Sequence, residues 1–290
     1  MLFVTCFVCT HVILQEFKHA NCTASSPLDT QLATVDKLKT PEAIQIIYEL
    51  ERSKVRNHRK QWEFVYIVQA LEHLKLLVPG RRALVFAAGQ EPLISYFASK
   101  GVHVLATDID HADAKKKGWV HTNQHSSSKN KLFRPYMLDK QKFDSLVSFQ
   151  TMDMNHINAS IGTFDFVWST CSLEHVGSIA LGKSFALNSA RLLKPGGLVV
   201  HTTEFTLSST TRTVEHGATV LWRRADVDEL RMHFKSDGFD VSNICLSSGT
   251  DEIDRYVDLP PYRSHNHMRL QLGEHAITSV TWTARRSALF

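Results

Sequence analysis

Residues Ala83–Asp110 read ALVFAAGQEPLISYFASKGVHVLATDID, and this stretch decides the fold. Ala83 to Phe86 is a short apolar run of the kind a buried strand needs. Ala87, Ala88 and Gly89 make a turn of small side chains. Gln90, Glu91 and Pro92 then open a helix, with Leu93, Phe97 and Ala98 near helical spacing. Gly101 is placed to end that helix, and Val102 to Ala106 predicts a second strand closing on Asp108. Strand, small turn, helix, strand and terminal acid together predict a nucleotide-binding βαβ unit. Small side chains let backbone N–H groups and the helix N-terminus approach a ligand, and one carboxylate can accept two ribose hydroxyls.

Upstream, Thr40-Pro41-Glu42 is a helix start, with a capping hydroxyl, a first-turn proline and an acid. Ile44, Ile47 and Tyr48 give that helix its apolar stripe. Arg52, Lys54, Arg56, Arg59 and Lys60 follow without interleaved aromatics, so a solvated helix face or turn is expected rather than a phosphate patch. Trp62 to Leu77 predicts a second helix with Phe64, Ile67, Val68, Leu71 and Leu74 on one side. Asn21 to Thr40 has loop composition. Residues 1–78 are therefore read as an N-terminal segment and helical addition able to cover a pocket, and 79–290 as the main domain.

Downstream, His111 to Lys142 is a polar connection. Strands are predicted over Leu146–Thr151, Phe164–Ser169 and Leu198–Thr202, a helix over Leu181–Leu193, and a turn at Lys194-Pro195-Gly196-Gly197. A helix over Ala225–Ser236, a strand over Phe239–Cys245 and a last strand over Ile277–Ala284 complete the pattern. Strands alternating with helices predict an α/β fold with a doubly wound, Rossmann-like sheet, mostly parallel with an antiparallel edge.

Hydrophobic residues make up 43% of the 290 positions and charged residues 21%, enough for a sizeable core. A net charge of +4 is mild, so no nucleic-acid partner is expected. Five scattered cysteines argue against a disulfide framework and for a reducing compartment, and the Cys6–Cys9 pair lacks the ligands that would complete a metal site. Leu2 to Leu14 is apolar but too short to span a bilayer and has no basic start, so a cytoplasmic location is the default.

Acids recur at strand ends: Asp108 after the second, Asp153 after the third, Asp165 opening the fourth. In a doubly wound sheet the carboxyl ends of adjacent strands line one crevice, where Asp108 and Asp153 would bracket a nucleoside.

From Trp62 to Arg285 the chain resembles the class I S-adenosylmethionine-dependent methyltransferases. The resemblance rests on VFAAGQEPL, the acid of ATDID, FQTMDM, FDFVWSTCSLEHV and LLKPGGLVVHTTEF. WSTCSLEHVGS, VVHTTEF and VDLPPY are similar to a bacterial subfamily acting on small molecules. The resemblance implies S-adenosylmethionine as cofactor, with Ala87, Ala88, Gly89 and Gln90 under its methionine part and Glu91 at the helix start. It implies Asp108 on the ribose, Ile109 on the adenine face, and Asp153 and Met154 at the adenine edge. Ser169, Thr170 and Cys171 would face the methionine and the methyl, with Glu174 and His175 at the mouth of the substrate pocket. The first motif departs from the family pattern: Phe86, Ala87 and Ala88 stand where an acid and two glycines are usual, and alanine does not freely take positive φ.

Methyl transfer is a direct displacement, and a base helps when the acceptor is a hydroxyl. Glu204, His175 and His201 are the candidates, with His125 behind them; each has a structural role as its alternative. The expected function is methyl transfer to a small-molecule or carbohydrate-like acceptor at oxygen, without metal. A non-catalytic domain of the same fold that binds a nucleoside or a partner protein is the alternative. A nicotinamide-dependent dehydrogenase stands third, because the turn lacks GxGxxG.

Overall fold

A computed structural model describes residues 26–122, 124–262 and 265–288. The Cys6–Cys9 pair and the apolar run from Leu2 to Leu14 lie outside the described residues. Helix α1 covers Pro41–Glu51, with the Thr40 hydroxyl accepting from the Ala43 N–H at 3.2 Å, as its capping pattern predicts. Helix α2 covers Arg59–His73, starting three residues before the expected Trp62. Its cap is the His58 ring, whose Nδ1 accepts from the Lys60 N–H at 3.0 Å.

The sheet strands are β1 (Arg82–Val85), β2 (His103–Asp108), β3 (Val147–Thr151), β4 (Phe164–Thr170), β5 (Leu193–Thr206), β6 (Phe239–Val241), β7 (Leu270–Leu272) and β8 (His275–Arg286). Between them run α3 (Leu93–Ser99), α4 (His111–Lys116), α5 (Lys140–Leu146), α6 (Ile179–Ala190) and α7 (Arg224–Ser236). Strand order is β7-β8-β5-β4-β1-β2-β3, with β6 also on β8. β1 to β5 pair in parallel, and β8 returns antiparallel along β5, from Ile277 opposite Thr206 to Arg285 opposite Leu198. The order reverses between β1 and β4, the place where doubly wound sheets open a crevice.

β5 is longer than expected because the Lys194–Gly197 turn is absorbed as an irregularity: Leu193 faces Phe164, and pairing resumes with Leu198 on Phe166. A Cβ on Gly197 would lie 2.8 Å from the Asp165 carbonyl, so only glycine permits this approach.

Both faces of the sheet are covered, and period-two alternation divides them. Val85, Phe166, Trp168 and Val200 pack with Trp62, Ile67 and Leu71 of α2 and Phe97 of α3. Leu84, Val167 and Val199 pack with Phe185 of α6 and Phe234 of α7. The N-terminal helices thus share their core with the sheet.

Cys171 is a free cysteine, and Cys6, Cys9 and Cys22 lie outside the described residues. No helix among the described residues is long and apolar enough to cross a membrane.

Candidate active site

A cavity of about 530 Å³ opens at the carboxyl ends of β1 to β5. Its floor is the turn after β1. Ala87 and Gly89 both take φ +51°, so the alanine accepts the left-handed conformation that its Cβ disfavours. Asp108, at the end of β2, organises that turn. Its carboxylate accepts from the backbone N–H groups of Gly89 at 3.0 Å, Ser126 at 3.0 Å and Ile109 at 2.8 Å. Burial pushes this carboxyl above its ordinary range, and those N–H groups oppose the rise.

Glu91 enters the cavity 7% exposed. It accepts from Trp168 Nε1 at 2.7 Å and from the Thr170 hydroxyl at 2.6 Å. Burial raises it to about 7. Ile109, Met152 and Met154 supply apolar wall. Asp153 also lines the cavity; burial pushes its carboxyl up, but the Asn155 N–H and the His156 ring outweigh this and hold it low.

The opposite end is built across the sheet by α2. Arg59 Nη2 lies 2.5 Å from Glu204 Oε1, and Nη1 donates to the Ser279 hydroxyl at 3.0 Å. Lys60 Nζ pairs with Glu63 Oε2 at 2.7 Å. Glu63 also accepts from Ser279 at 2.6 Å, Thr202 at 3.1 Å and the Cys171 thiol at 3.2 Å. Burial alone would raise Glu63, but Lys60 and Arg59 bring it down to about 2. Burial raises the Cys171 thiol, which keeps it protonated and unreactive.

Glu174 is fully buried; its Oε2 accepts from the Thr203 hydroxyl at 3.0 Å, and its Oε1 has no hydrogen-bond partner among the described residues. Burial, reinforced by Glu204, raises it to about 8. His175 Nδ1 meets the Ala218 carbonyl at 2.9 Å, which fixes the proton on Nδ1 and leaves Nε2 as the lone-pair nitrogen. Its ring lies 4.5 Å from that of Trp119, and burial lowers its pKa, so it is neutral at pH 7.

The structure brings Ala87, Ala88, Gly89, Gln90, Glu91, Asp108, Ile109, Asp153, Met154, Thr170, Cys171, Glu174, His175 and Glu204 to this one cavity. It does not bring His201 or Ser169 there. His201 is fully buried between Phe185 and Trp282, bonded to Ser169 at 2.6 Å and Ser189 at 3.1 Å, and burial drops it to about 3. Its position follows from alternation: it shares the face of Val199, whereas Glu204 shares the face of Val200 and Thr202. His125 spends Nε2 on the Ile109 carbonyl at 2.8 Å.

The solvated reading of the Arg52–Lys60 run fails at its end, because Arg59 and Lys60 line the cavity. Glu63 was the available signal: a lone acid inside an apolar stripe, four residues after Arg59 and three after Lys60. No cluster of His, Cys, Asp and Glu suited to a metal ion occurs among the described residues.

Residues 84–201 match the family model described as a methyltransferase domain. Over that segment the chain is similar to methyltransferase domains. No curated protein matches the sequence. Among solved structures, an O-methyltransferase family protein from Burkholderia thailandensis is 12% identical, with 80% of this chain and 60% of that one covered and a TM-score of 0.42. The carbon methyltransferase CurJ is 16% identical, with 79% and 54% covered and a TM-score of 0.43. Magnesium protoporphyrin IX methyltransferase from Synechocystis PCC 6803 is 14% identical, with 87% and 94% covered and a TM-score of 0.42. The chain spans less than two thirds of the length of the first two.

The cavity has what S-adenosylmethionine, the cofactor implied by the sequence resemblance, would need: a tight small-residue turn, a strand-end acid, apolar walls for a base and buried carboxyls without an ion-pair partner among the described residues.

Proposed function

We propose that the chain moves a methyl group from S-adenosylmethionine to an oxygen of a small-molecule or carbohydrate-like acceptor, with His175 as the base. The observation that carries this reading is the fixed tautomer of His175, neutral and lining the same cavity as the cofactor turn. When bound, the cofactor supplies an electrophilic methyl. His175 Nε2 takes the acceptor hydroxyl's proton as the oxygen attacks, a contribution of roughly 10²–10⁴ in rate. Glu204 is tied to Arg59 and is therefore assigned to alignment, its Oε1 being already engaged by the guanidinium at 2.5 Å. The turn Ala87–Gln90 and Asp108 hold the cofactor, with Asp153 and Met154 at its adenine edge. Thr170 and Cys171 lie beside the methionyl part, and the helical addition closes the acceptor end through Arg59 and Lys60.

A panel of hydroxylated small molecules with methyl-labelled cofactor tests this reading. Label in a small hydroxylated product supports it, and label only in protein or RNA counts against it. Cofactor binding without turnover on any acceptor would favour the non-catalytic alternative, for which the Ala87-Ala88 turn is the motive.

A further inference from the structure

Glu91 and Glu174 have no ion pair of their own among the described residues; Asp108, the other cavity carboxyl without one, is instead held by three backbone N–H groups. Arg59 and Lys60 are engaged by Glu204 and Glu63. Among the described residues Glu91 accepts from Trp168 and Thr170, and Glu174 from Thr203 and its own backbone N–H, all neutral donors. Both carboxyls are more than nine-tenths buried, and the Glu174 Oε1 atom has no hydrogen-bond partner among the described residues. A carboxyl held this way keeps its proton until a positive charge arrives.

The cofactor and its product differ by one methyl group and one charge. S-Adenosylmethionine has a sulfonium; S-adenosylhomocysteine has a neutral thioether; their ammonium and carboxylate groups are the same. We propose that Glu91 and Glu174 supply the counter-charge to the sulfonium, so that binding of S-adenosylmethionine, but not of S-adenosylhomocysteine, drives a proton off these carboxyls. The proposal rests on the cofactor assignment and identifies the residues that tell substrate from product.

The surroundings are consistent with this. Around Glu91 stand Lys60 and Glu63 from α2, with Trp168 and Thr170 from β4. Around Glu174 stand Glu204 from β5 and Lys60 and Arg59 from α2, with His175 next in sequence. Burial dominates at both carboxyls and holds them at about 7 and about 8, where a neighbouring positive charge changes proton occupancy at physiological pH. The proton balance closes over a turnover. The acceptor hydroxyl loses a proton as the C–O bond forms and the C–S bond breaks, with its electron pair going to sulfur. The sulfonium charge disappears in that step, and the carboxylate it had ionised takes a proton back. The product then loses the attraction that held the substrate.

The test is calorimetric titration of the full chain with each ligand at about pH 6 and about pH 8.5, in buffers of different ionisation enthalpy. One proton of linkage changes affinity up to about tenfold per pH unit. The expected result is an affinity ratio of S-adenosylmethionine to S-adenosylhomocysteine that rises about tenfold or more over this range. Net proton release should accompany the first ligand and not the second. In Glu174→Gln and Glu91→Gln, checked for folding by circular dichroism, the rise should shrink, and in the double variant it should vanish. A flat ratio in the wild type, equal proton release by both ligands, or an unchanged rise in the double variant overturns the proposal. The wild-type arm needs no variant to fold. Absence of binding by either ligand would instead overturn the cofactor assignment, and this proposal with it.

Discussion

Arg59 and Glu204 are 145 positions apart in the chain, yet guanidinium and carboxylate meet at 2.5 Å and join α2 to β5 across the acceptor end of the cavity. Neither group has much water to fall back on, since their side chains are 13% and 10% exposed. Arg59→Met should therefore leave Glu204 and Glu63 underneutralised and lower stability by about 3–5 kcal/mol. Urea denaturation checks this. Adding Glu204→Gln should recover part of the loss, because one of the stranded charges is then gone.

Opposite signs are expected at the two ends of the cofactor turn. Ala87→Gly relieves a left-handed strain of about 1–2 kcal/mol and adds unfolded-state freedom of about 0.4–1 kcal/mol. A gain of up to about 1 kcal/mol in chemical denaturation should result. Gly89→Ala introduces the same strain and places a Cβ 3.0 Å from the Gln124 carbonyl, so it should destabilise the fold and weaken cofactor binding.

His175→Asn should lower kcat by about 10²–10⁴ while cofactor affinity changes by less than about threefold, read by steady-state rates beside calorimetry. The base acts in its neutral form, and burial places its titration below the ordinary imidazole range. Activity should therefore fall only on the acid side of that range. An acid limb centred above it would remove His175 from the role.

Stability of the cofactor-free protein should decline from about pH 5 to about pH 8. Glu91 and Glu174 are held at about 7 and about 8 in the fold, above the ordinary carboxyl value. The unfolded chain ionises them first, so it gains stability relative to the fold as pH climbs through this window. Above it the penalty is constant. Glu63, held at about 2, acts in the opposite sense: its stabilisation is complete above the ordinary value and is lost as pH falls toward 2. Melting curves across pH should show both limbs, and Glu174→Gln should flatten the alkaline one.

The βαβ unit was legible because its signals are local: alternation in the strands, small residues at the turn, an acid at the strand end. The cap at Thr40 was legible for the same reason. Arg59 and Lys60 were misread because their partners arrive from β5 and from a charge buried within α2, which a run of basic residues does not reveal. His201 and Glu204 looked equivalent because β5 is buried on both faces, so its polarity does not show which residues face the cavity. The extent of β5 was hidden by Gly196-Gly197, which signals a turn and here accommodates an irregularity within the strand.

The matched methyltransferase segment, residues 84–201, contains the cofactor turn, Asp108 and the exit of β4, whereas Arg59 and Lys60 precede it and Glu204 follows it. One end of the cavity is therefore furnished by side chains from outside the matched segment, so substitutions at Arg59, Lys60 or Glu204 can reshape that end while the sequence of the segment stays intact.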